Sequence, residues 1–367
     1  MTVSQFGGDW PPVIAVALEL HRRGHDVSVM GDAVVLEAIK GSGLDGIEWP
    51  ENLLPQRFID DAAPDDDYHA IHMAWARGVE RVGADIAHQT GADLLLGALI
   101  GVVVTNAVAQ RARIPWVFIN PAYYVGPNPA RPIALDQPLM AESFERSLLP
   151  AMAQAELVLH GTDPDFDIIP DDLPAHHHYV GPLLWTPPAQ TPAFVTEDGA
   201  PWALVSLSTM PFPDEADLAN AAVAALLEHD VRVLVTGTEA RSALADNAKG
   251  DSVRVEPFVP HDGVMERAAL FISHGGHGGV MRAMLHGVPM VLVPFGRDQV
   301  GMGYRAERLG VAKVVPKPAL SVDSVARAIN TVLTDPAIAA ASQEAAARLA
   351  EMSPATESAR LIEAAFE

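Results

Sequence analysis

The chain has 367 residues, with 24 Lys and Arg against 47 Asp and Glu, so its formal charge is −23. A chain this acidic repels phosphate backbones and anionic lipid, which argues against nucleic acid as a partner and against polybasic membrane attachment. It has no cysteine, which excludes disulfide frameworks, thiolate catalysis and cysteine zinc sites. The longest apolar run, residues 94–105, is too short to span a bilayer, so we predict a soluble cytoplasmic protein without stable membrane insertion.

Apolar strands alternate with helices along the chain, and the length is sufficient for two domains. In the first half, helices are predicted at 13–20 and 104–113. Strands are predicted at 27–30, 94–99, 115–120 and 157–160, with a short first strand at 2–6 unless further residues precede the chain. Such alternation is typical of a doubly wound α/β sheet.

A proline-rich stretch at residues 180–193 interrupts this alternation. It contains four prolines, so it cannot continue a helix or a central strand and is interpreted as a linker. The alternation then restarts. Strands are predicted at 203–207, 231–236, 270–273 and 288–294, and a helix at 215–229.

The most informative stretch follows the strand at 270–273, where His274 opens a turn with four glycines that leads into a helix ending at Gly287. Glycine lets the backbone approach a ligand, and the first N–H groups of a helix point outward and favour negative charge. The stretch therefore predicts a diphosphate site with His274 as an additional donor. The alternative is a tight strand-to-helix turn with a structural histidine.

Residues 271–310 resemble the donor-binding motif of the family 1 glycosyltransferases of GT-B fold, in particular the bacterial enzymes that modify antibiotics and other natural products. The matching features are the His274-Gly-Gly turn, Gly287-Val-Pro289, Asp298-Gln299, Arg305 and Leu309-Gly310. Shorter matches at 180–182, 205–208 and 259–261 follow the family order.

The resemblance implies two doubly wound, parallel-sheet (Rossmann-like) domains facing a cleft. The acceptor-binding domain would span 1–180, followed by a linker at 181–195 and a nucleotide-sugar donor-binding domain at 196–345. A C-terminal helix at 346–367 would cross back to the first domain.

The resemblance also implies the donor contacts. His274 and the backbone of Gly275, Gly276, Gly278 and Gly279 would hold the diphosphate, assisted by the hydroxyl turn of Ser208 and Thr209. Asp298 and Gln299 would bind the hexose hydroxyls, and the backbone of Val259 the pyrimidine base. The chain departs from the family at Gly279, where Ser or Thr is frequent, and at Met302, where Asn is frequent.

Asp9 lies in a Gly-Asp-x-x-Pro turn before the first predicted helix and is similar to the residue that glycopeptide-antibiotic glycosyltransferases have there; most family members have His. The resemblance implies that Asp9 is the general base that accepts the proton of the acceptor hydroxyl as it attacks the anomeric carbon. A single displacement inverts the anomeric configuration. The alternative is that Asp9 caps the helix, and the two roles are compatible.

An apolar pocket is expected for the acceptor, because such pockets are largely apolar with a few polar groups. The predicted lining residues are Trp10, His69, His72, Trp75, Tyr123 and Tyr124. For residues 68–75 the alternative is core packing at helical spacing. The acidic residues 163–167 and the histidines 176–178 are interpreted as exposed loops, so no metal site is expected.

The sequence therefore predicts an inverting, metal-independent transfer of a hexose from a UDP- or dTDP-linked sugar to a hydroxyl of a hydrophobic natural product. The nucleotide diphosphate sugar is a co-substrate, and no cofactor is expected. Two alternatives remain open at this point: a catalytically silent homologue that binds a nucleotide sugar or a partner, and a sugar-nucleotide epimerase of related fold.

Overall fold

The computed structural model describes residues 8–62, 68–124, 144–209, 212, 214–237, 240–244 and 252–366. These residues form two compact units: the first comprises 8–62, 68–124, 144–187 and 353–366, and the second 188–209, 212, 214–237, 240–244 and 252–352. The predicted first strand, 2–6, lies outside the described residues. None of the helices in the described ranges combines the length and apolar composition that a bilayer span requires.

The first unit alternates strands and helices. Its strands are β1 (Ser28–Gly31), β2 (Asp45–Glu48), β3 (Leu95–Gly97), β4 (Trp116–Asn120), β5 (Leu157–His160) and β6 (His177–Tyr179). Its helices are α1 (Pro11–Arg22), α2 (Ala33–Ala38), α3 (Pro55–Asp60), α4 (Tyr68–Gln89), α5 (Val102–Ala112), α6 (Leu149–Met152) and, at the C-terminus, α15 (Pro354–Phe366). All described strand pairs are parallel, in the orders β1-β2 and β3-β4-β5-β6.

The second unit is a single six-stranded parallel sheet with helices. Its strands are β7 (Trp202–Ser206), β8 (Arg232–Thr236), β9 (Val253–Glu256), β10 (Ala268–Ser273), β11 (Met290–Leu292) and β12 (Ala312–Val314). Its helices are α7 (Ala193–Thr196), α8 (Glu215–Leu226), α9 (Ala240–Ala243), α10 (His261–Met265), α11 (His277–Leu285), α12 (Gln299–Arg308), α13 (Val322–Thr334) and α14 (Pro336–Ala350). The strand order β9-β8-β7-β10-β11-β12 is that of a doubly wound dinucleotide-binding fold.

These parallel sheets confirm the predicted α/β class. Strand β5 coincides with the prediction, and both β4 and β5 are buried along their whole length, as parallel strands covered on both faces are. Strand β3 ends at Gly97, two residues before the predicted end. The reason is that the N–H groups of Leu99 and Ile100 bind a side chain, described below, and not a neighbouring strand.

The C-terminal helix α15 packs on α1 inside the first unit. Ala359 and Ile362 are buried in the same apolar cluster as Val13 and Ile14. At the end of α1, the Arg23 guanidinium donates to Glu363 at 2.7 Å and to the Thr356 carbonyl at 3.0 Å. The Glu19 carboxylate accepts hydrogen bonds from the guanidinium groups of both Arg22 and Arg23. These bonds lower the pKa of Glu19 to about 2, and the bond from Arg22 is the largest cause.

Of the two segments interpreted as exposed loops, residues 163–167 form a turn that is partly buried, and residues 177–179 form a strand, so the expected exposure of the first and the expected loop at the second are wrong. Residues 177–179 form β6 beside β5, which places the His177 ring against the fully buried His160, with Nδ1 of His177 3.1 Å from Nε2 of His160. Asp163 and Asp167 are buried as well. Asp167 is satisfied by the Tyr179 hydroxyl and the N–H of Tyr124, both at 2.6 Å, so hydrogen bonds replace water around it.

This buried histidine pair makes the first unit sensitive to acid. Burial lowers the pKa of His160 to about 3 and that of His177 to about 4, with the neighbouring histidines as the second cause. The unfolded chain takes up these protons near its ordinary pKa of about 6.5, so it binds more protons than the fold below that pH. Full expression of both pKa changes would lower the free energy of unfolding by about 8 kcal/mol between about pH 6.5 and pH 3–4. Because His177 is only half-buried, solvent screening reduces the expected fall to roughly 2–5 kcal/mol.

Thermal unfolding followed across this pH range measures the effect. A variant with His160→Gln and His177→Gln should lose much of the decline between pH 6.5 and 4. An equally steep decline in that variant would show that other groups cause it.

Candidate functional site

The strand order of the second unit reverses between β7 and β10. From these two neighbours the sheet grows outward in opposite directions, to β8 and β9 on one side and to β11 and β12 on the other. The last residues of the two strands, Ser206 and Ser273, are register partners, so both loops leave the same edge of the sheet. Open α/β sheets bind ligands at such a switch point, beyond the carboxyl ends of the strands.

The glycine turn occupies this edge. Gly275 has a φ of +88°, a left-handed conformation that L side chains rarely adopt, and its N–H donates to Ser273 Oγ at 3.1 Å. Gly276 is the N-cap of α11, and no side-chain hydrogen bond caps this helix end. Helix geometry gives the N–H groups of Gly278 and Gly279, in the first turn of α11, no intrahelical acceptor, so they are directed outward from the helix start.

His274 lies between β10 and this helix terminus. Its Nε2 faces Gly276, where an added Cβ would come within 2.6 Å of that nitrogen, so only glycine leaves room for the ring. Its Nδ1 lies 3.4 Å from Glu215 Oε1. The structure thus brings His274 and the backbone of Gly275–Gly279 together.

The loop after β7 reaches the same place. Ser208 is buried and Thr209 is exposed. The Ser208 N–H donates to Glu215, the first residue of α8, so a carboxylate joins the β7 loop to the β10 loop. Sequence analysis did not identify Glu215, because a glutamate at a helix start is an ordinary feature of a solvated helix.

Asp298 and Gln299 form the start of α12, as N-cap and first residue. Burial raises the pKa of Asp298, and the nearby side chains of His274 and Arg297 offset part of this increase. Gln299 Oε1 accepts the N–H groups of Phe295 and Gly296 at 2.9 and 3.2 Å, so a hexose contact would use its Nε2. Arg297 has a φ of +59°, a strained conformation for a residue other than glycine and one that is often found at binding sites.

Val259 follows β9 at the same sheet edge and has a buried side chain, so a base contact would come from its backbone. Its neighbour Phe258 is 58% exposed, an aromatic surface that sequence analysis missed because exposure cannot be read from a sequence. Next to it, His261 Nε2 lies 3.0 Å from Thr236 Oγ1, and burial lowers the pKa of His261 to about 4.

The departures from the family motif have a packing explanation at Gly279. A Cβ there would lie 3.0 Å from Cζ of Phe271, so the phenyl ring of β10 fills the space that a Ser or Thr side chain would need. Met302 is fully buried in α12 and contributes to packing.

In the first unit, Asp9 is only 7% exposed and precedes α1. It is not the helix cap, so that alternative is wrong: the N-cap is Trp10, without a side-chain hydrogen bond. Asp9 Oδ1 and Oδ2 instead accept the N–H groups of Leu99 and Ile100 at 3.1 and 3.0 Å, just before α5. These bonds fix the position of the carboxylate.

The six predicted acceptor residues all lie in the first unit but differ in exposure. Trp10 is partly buried and makes an edge contact with Trp185. His69 contacts Ser147 through Nδ1, and His72 is partly buried. Trp75, Tyr123 and Tyr124 are buried. Trp75 donates to the Leu53 carbonyl, as the core-packing alternative expects, and the acceptor role of all six stays a prediction.

Comparison with known proteins agrees with this geometry. Residues 220–364 match the family model of the erythromycin biosynthesis protein CIII-like C-terminal domain. The chain is 30% identical over 191 residues to 4'-demethylrebeccamycin synthase of Lentzea aerocolonigenes, which covers 50% of this chain and 44% of that protein. It is 34% identical over 176 residues to O-mycaminosyltylonolide 6-deoxyallosyltransferase of Streptomyces fradiae, covering 46% and 40%. The chain thus spans less than half the length of either relative in these matches.

Solved structures match over the whole chain. The glycosyltransferase of kitacinnamycin superposes with a TM-score of 0.78 at 20% identity, covering 100% of this chain and 98% of the other. Glycosyltransferase VinC in complex with dTDP superposes with a TM-score of 0.70 at 20% identity, covering 100% of this chain and 98% of VinC. At this identity the likeness shows the fold, which is GT-B. By that fold and by the sequence of its C-terminal part, the chain is similar to the bacterial glycosyltransferases of antibiotic biosynthesis.

Proposed function

We propose that the protein transfers a hexose from a UDP- or dTDP-linked sugar to a hydroxyl of a hydrophobic natural product, with inversion at the anomeric carbon. The observation that carries the proposal is the glycine-rich start of α11 at the β7/β10 switch point, with His274 beside it. Because the chain has a net charge of −23, it needs local hydrogen-bond donors to hold an anionic diphosphate. The N–H groups of a helix start and an imidazole are such donors.

The named relatives support the donor class. VinC was solved with dTDP, and the Streptomyces fradiae relative is named as a 6-deoxyallosyltransferase. The name of the Lentzea relative, a demethylrebeccamycin synthase, supports a natural-product acceptor.

The proposed reaction is one displacement. The acceptor oxygen attacks the anomeric carbon while its proton passes to Asp9, and the bond from that carbon to the diphosphate oxygen breaks. The electron pair leaves on the diphosphate, which the α11 N–H groups and His274 stabilise. In this proposal the protein's own donors neutralise the leaving group, so no metal is assigned to the reaction. Asp298 and Gln299 orient the hexose.

Phe258 gives the base a stacking surface in this proposal, beside the backbone of Val259. Stacking on an aromatic side chain contributes about 1–3 kcal/mol per base by alanine substitution. Phe258→Ala should therefore raise the dissociation constants of UDP and dTDP by about tenfold. Isothermal titration calorimetry measures this change.

Leu227→Ala is the matched control, since Leu227 is a 51% exposed apolar residue of the second unit at the other end of α8. It should leave both constants unchanged. Equal affinity of the Phe258→Ala variant and the native protein would remove Phe258 from the base site.

A thermal-shift panel of UDP- and dTDP-sugars tests the donor class. A ligand that binds only the folded state stabilises it by about 2.7 kcal/mol at one hundred times its dissociation constant. At least one member of the panel should raise the unfolding temperature of the full chain. No shift with any member would contradict the proposed function.

A further inference from the structure

Glu215 is a buried carboxylate inside a site that is built for an anion. It is the first residue of α8 and is 3% exposed. It accepts the N–H of Ser208 and, at 3.4 Å, that of Phe212, so the protein holds it in place with backbone donors of the β7 loop. A carboxylate beside a diphosphate repels it, so its presence requires a compensating cation.

The compensating group is the imidazole of His274. Its Nδ1 is buried and has no hydrogen-bond partner in the described part of the chain, while Glu215 Oε1 stands 3.4 Å away. Charge-assisted hydrogen bonds between nitrogen and carboxylate are about 2.7–2.9 Å long, so this contact is open by roughly half an ångström. A buried donor left unsatisfied is costly and is a feature that functional sites retain.

The other edge of the ring faces the diphosphate donors. His274 Nε2 points over Gly276, the N-cap of α11. One ring nitrogen is thus directed at a carboxylate and the other at the helix terminus. Such a carboxylate–imidazole pair fixes which nitrogen carries the proton and how the ring is turned.

We propose that Glu215 is a positioning residue for the donor diphosphate. It accepts the Nδ1–H of His274 while the Nε2–H of the same, doubly protonated ring donates to the diphosphate, and the 3.4 Å contact shortens to a hydrogen bond when the anion binds. Hydrogen bonds at binding sites are often long without ligand and tighten in the complex. This inference rests on the proposed function, because it assigns the ligand of the same site.

The charge of Glu215 makes the inference testable by the sign of an effect. Glu215→Gln retains an oxygen for the Ser208 N–H but removes the negative charge. If Glu215 only repelled the ligand, the variant would bind UDP and dTDP more tightly. As a positioning residue, Glu215 should cause the opposite: the variant should bind about tenfold more weakly, which corresponds to about 1.4 kcal/mol.

Calorimetric titration of UDP and dTDP into the native chain, Glu215→Gln, His274→Gln and the double variant tests this. The loss caused by Glu215→Gln should disappear in the His274→Gln background, since the glutamate acts through the imidazole. Asp217→Asn, an exposed acid in the same first turn of α8, is the matched control and should change neither constant. Unchanged or tighter binding by Glu215→Gln, or the same loss in both backgrounds, would overturn the proposal.

A second measurement needs no ligand. Nitrogen NMR of the native chain, with His274→Gln to assign the signal, reports the tautomer of the neutral ring at alkaline pH. The proton should reside on Nδ1, and a ring with its proton on Nε2 would overturn the positioning role. If the native chain binds neither diphosphate, the proposed function fails, and the tautomer still decides whether Glu215 orients His274.

Discussion

Replacement of Asp9 by asparagine should lower the rate of sugar transfer by about 100-fold or more, because the acceptor hydroxyl then has no base. The carboxylate is held by the N–H groups of Leu99 and Ile100, so it cannot turn away from its position without losing two hydrogen bonds. Affinity for UDP and dTDP should not change, since the predicted donor residues belong to the second unit and Asp9 to the first. Steady-state kinetics with a saturating donor and calorimetry with the diphosphates separate the two effects.

Asp32→Asn provides the matched control for this experiment. Asp32 is also a buried aspartate of the first unit, and its carboxylate also accepts two backbone N–H groups, those of Val34 and Val35. Any loss of stability from replacing such a carboxylate should appear in both variants, whereas the loss of turnover should appear only with Asp9. Native turnover in Asp9→Asn, or equal losses in both variants, would remove Asp9 from the mechanism.

His274→Ala should raise the dissociation constants of UDP and dTDP by about 10- to 100-fold. A hydrogen bond to a charged group contributes about 1.5–3 kcal/mol, and the proposal directs the Nε2–H of this imidazole at the charged diphosphate. The backbone donors of α11 remain in the variant, so binding should weaken without disappearing. Calorimetry at constant salt gives the constants.

His286→Ala is the comparison for that substitution. His286 lies at the opposite end of α11, where its Nε2 is 3.0 Å from Asp262, far along the helix from the glycine turn. Its replacement should lower the unfolding temperature without changing diphosphate affinity. Equal affinities of His274→Ala and the native protein would contradict the assignment of His274.

The elements that sequence analysis predicts best are those that the local sequence pattern determines. Strand β5 and the start of α8 at Glu215 are found at their predicted positions. The glycine turn is also found where predicted, because a strand, four glycines and a helix impose one local geometry. These are local properties, and periodicity and glycine content report them directly.

The residues that the sequence could not place depend on distant partners. Asp9 resembles a helix cap, yet its partners are 90 and 91 residues away. His177 looks exposed in a run of polar residues and becomes part of a strand only because β5 lies beside it. Glu215 resembles a solvated helix start until the β10 loop brings His274 next to it. Contacts with segments that are distant in the sequence, which composition does not encode, decide all three.

Incubation of the full chain with a panel of UDP- and dTDP-hexoses and hydrophobic hydroxyl acceptors, followed by mass spectrometry and NMR of the products, tests the central claim most directly. We predict that at least one donor yields a glycosylated acceptor with inverted anomeric configuration and one equivalent of nucleoside diphosphate. Asp9→Asn should reduce that yield by about 100-fold. If no donor in the panel is bound, hydrolysed or transferred, that result would contradict the assignment of the glycine turn as a nucleotide-sugar site.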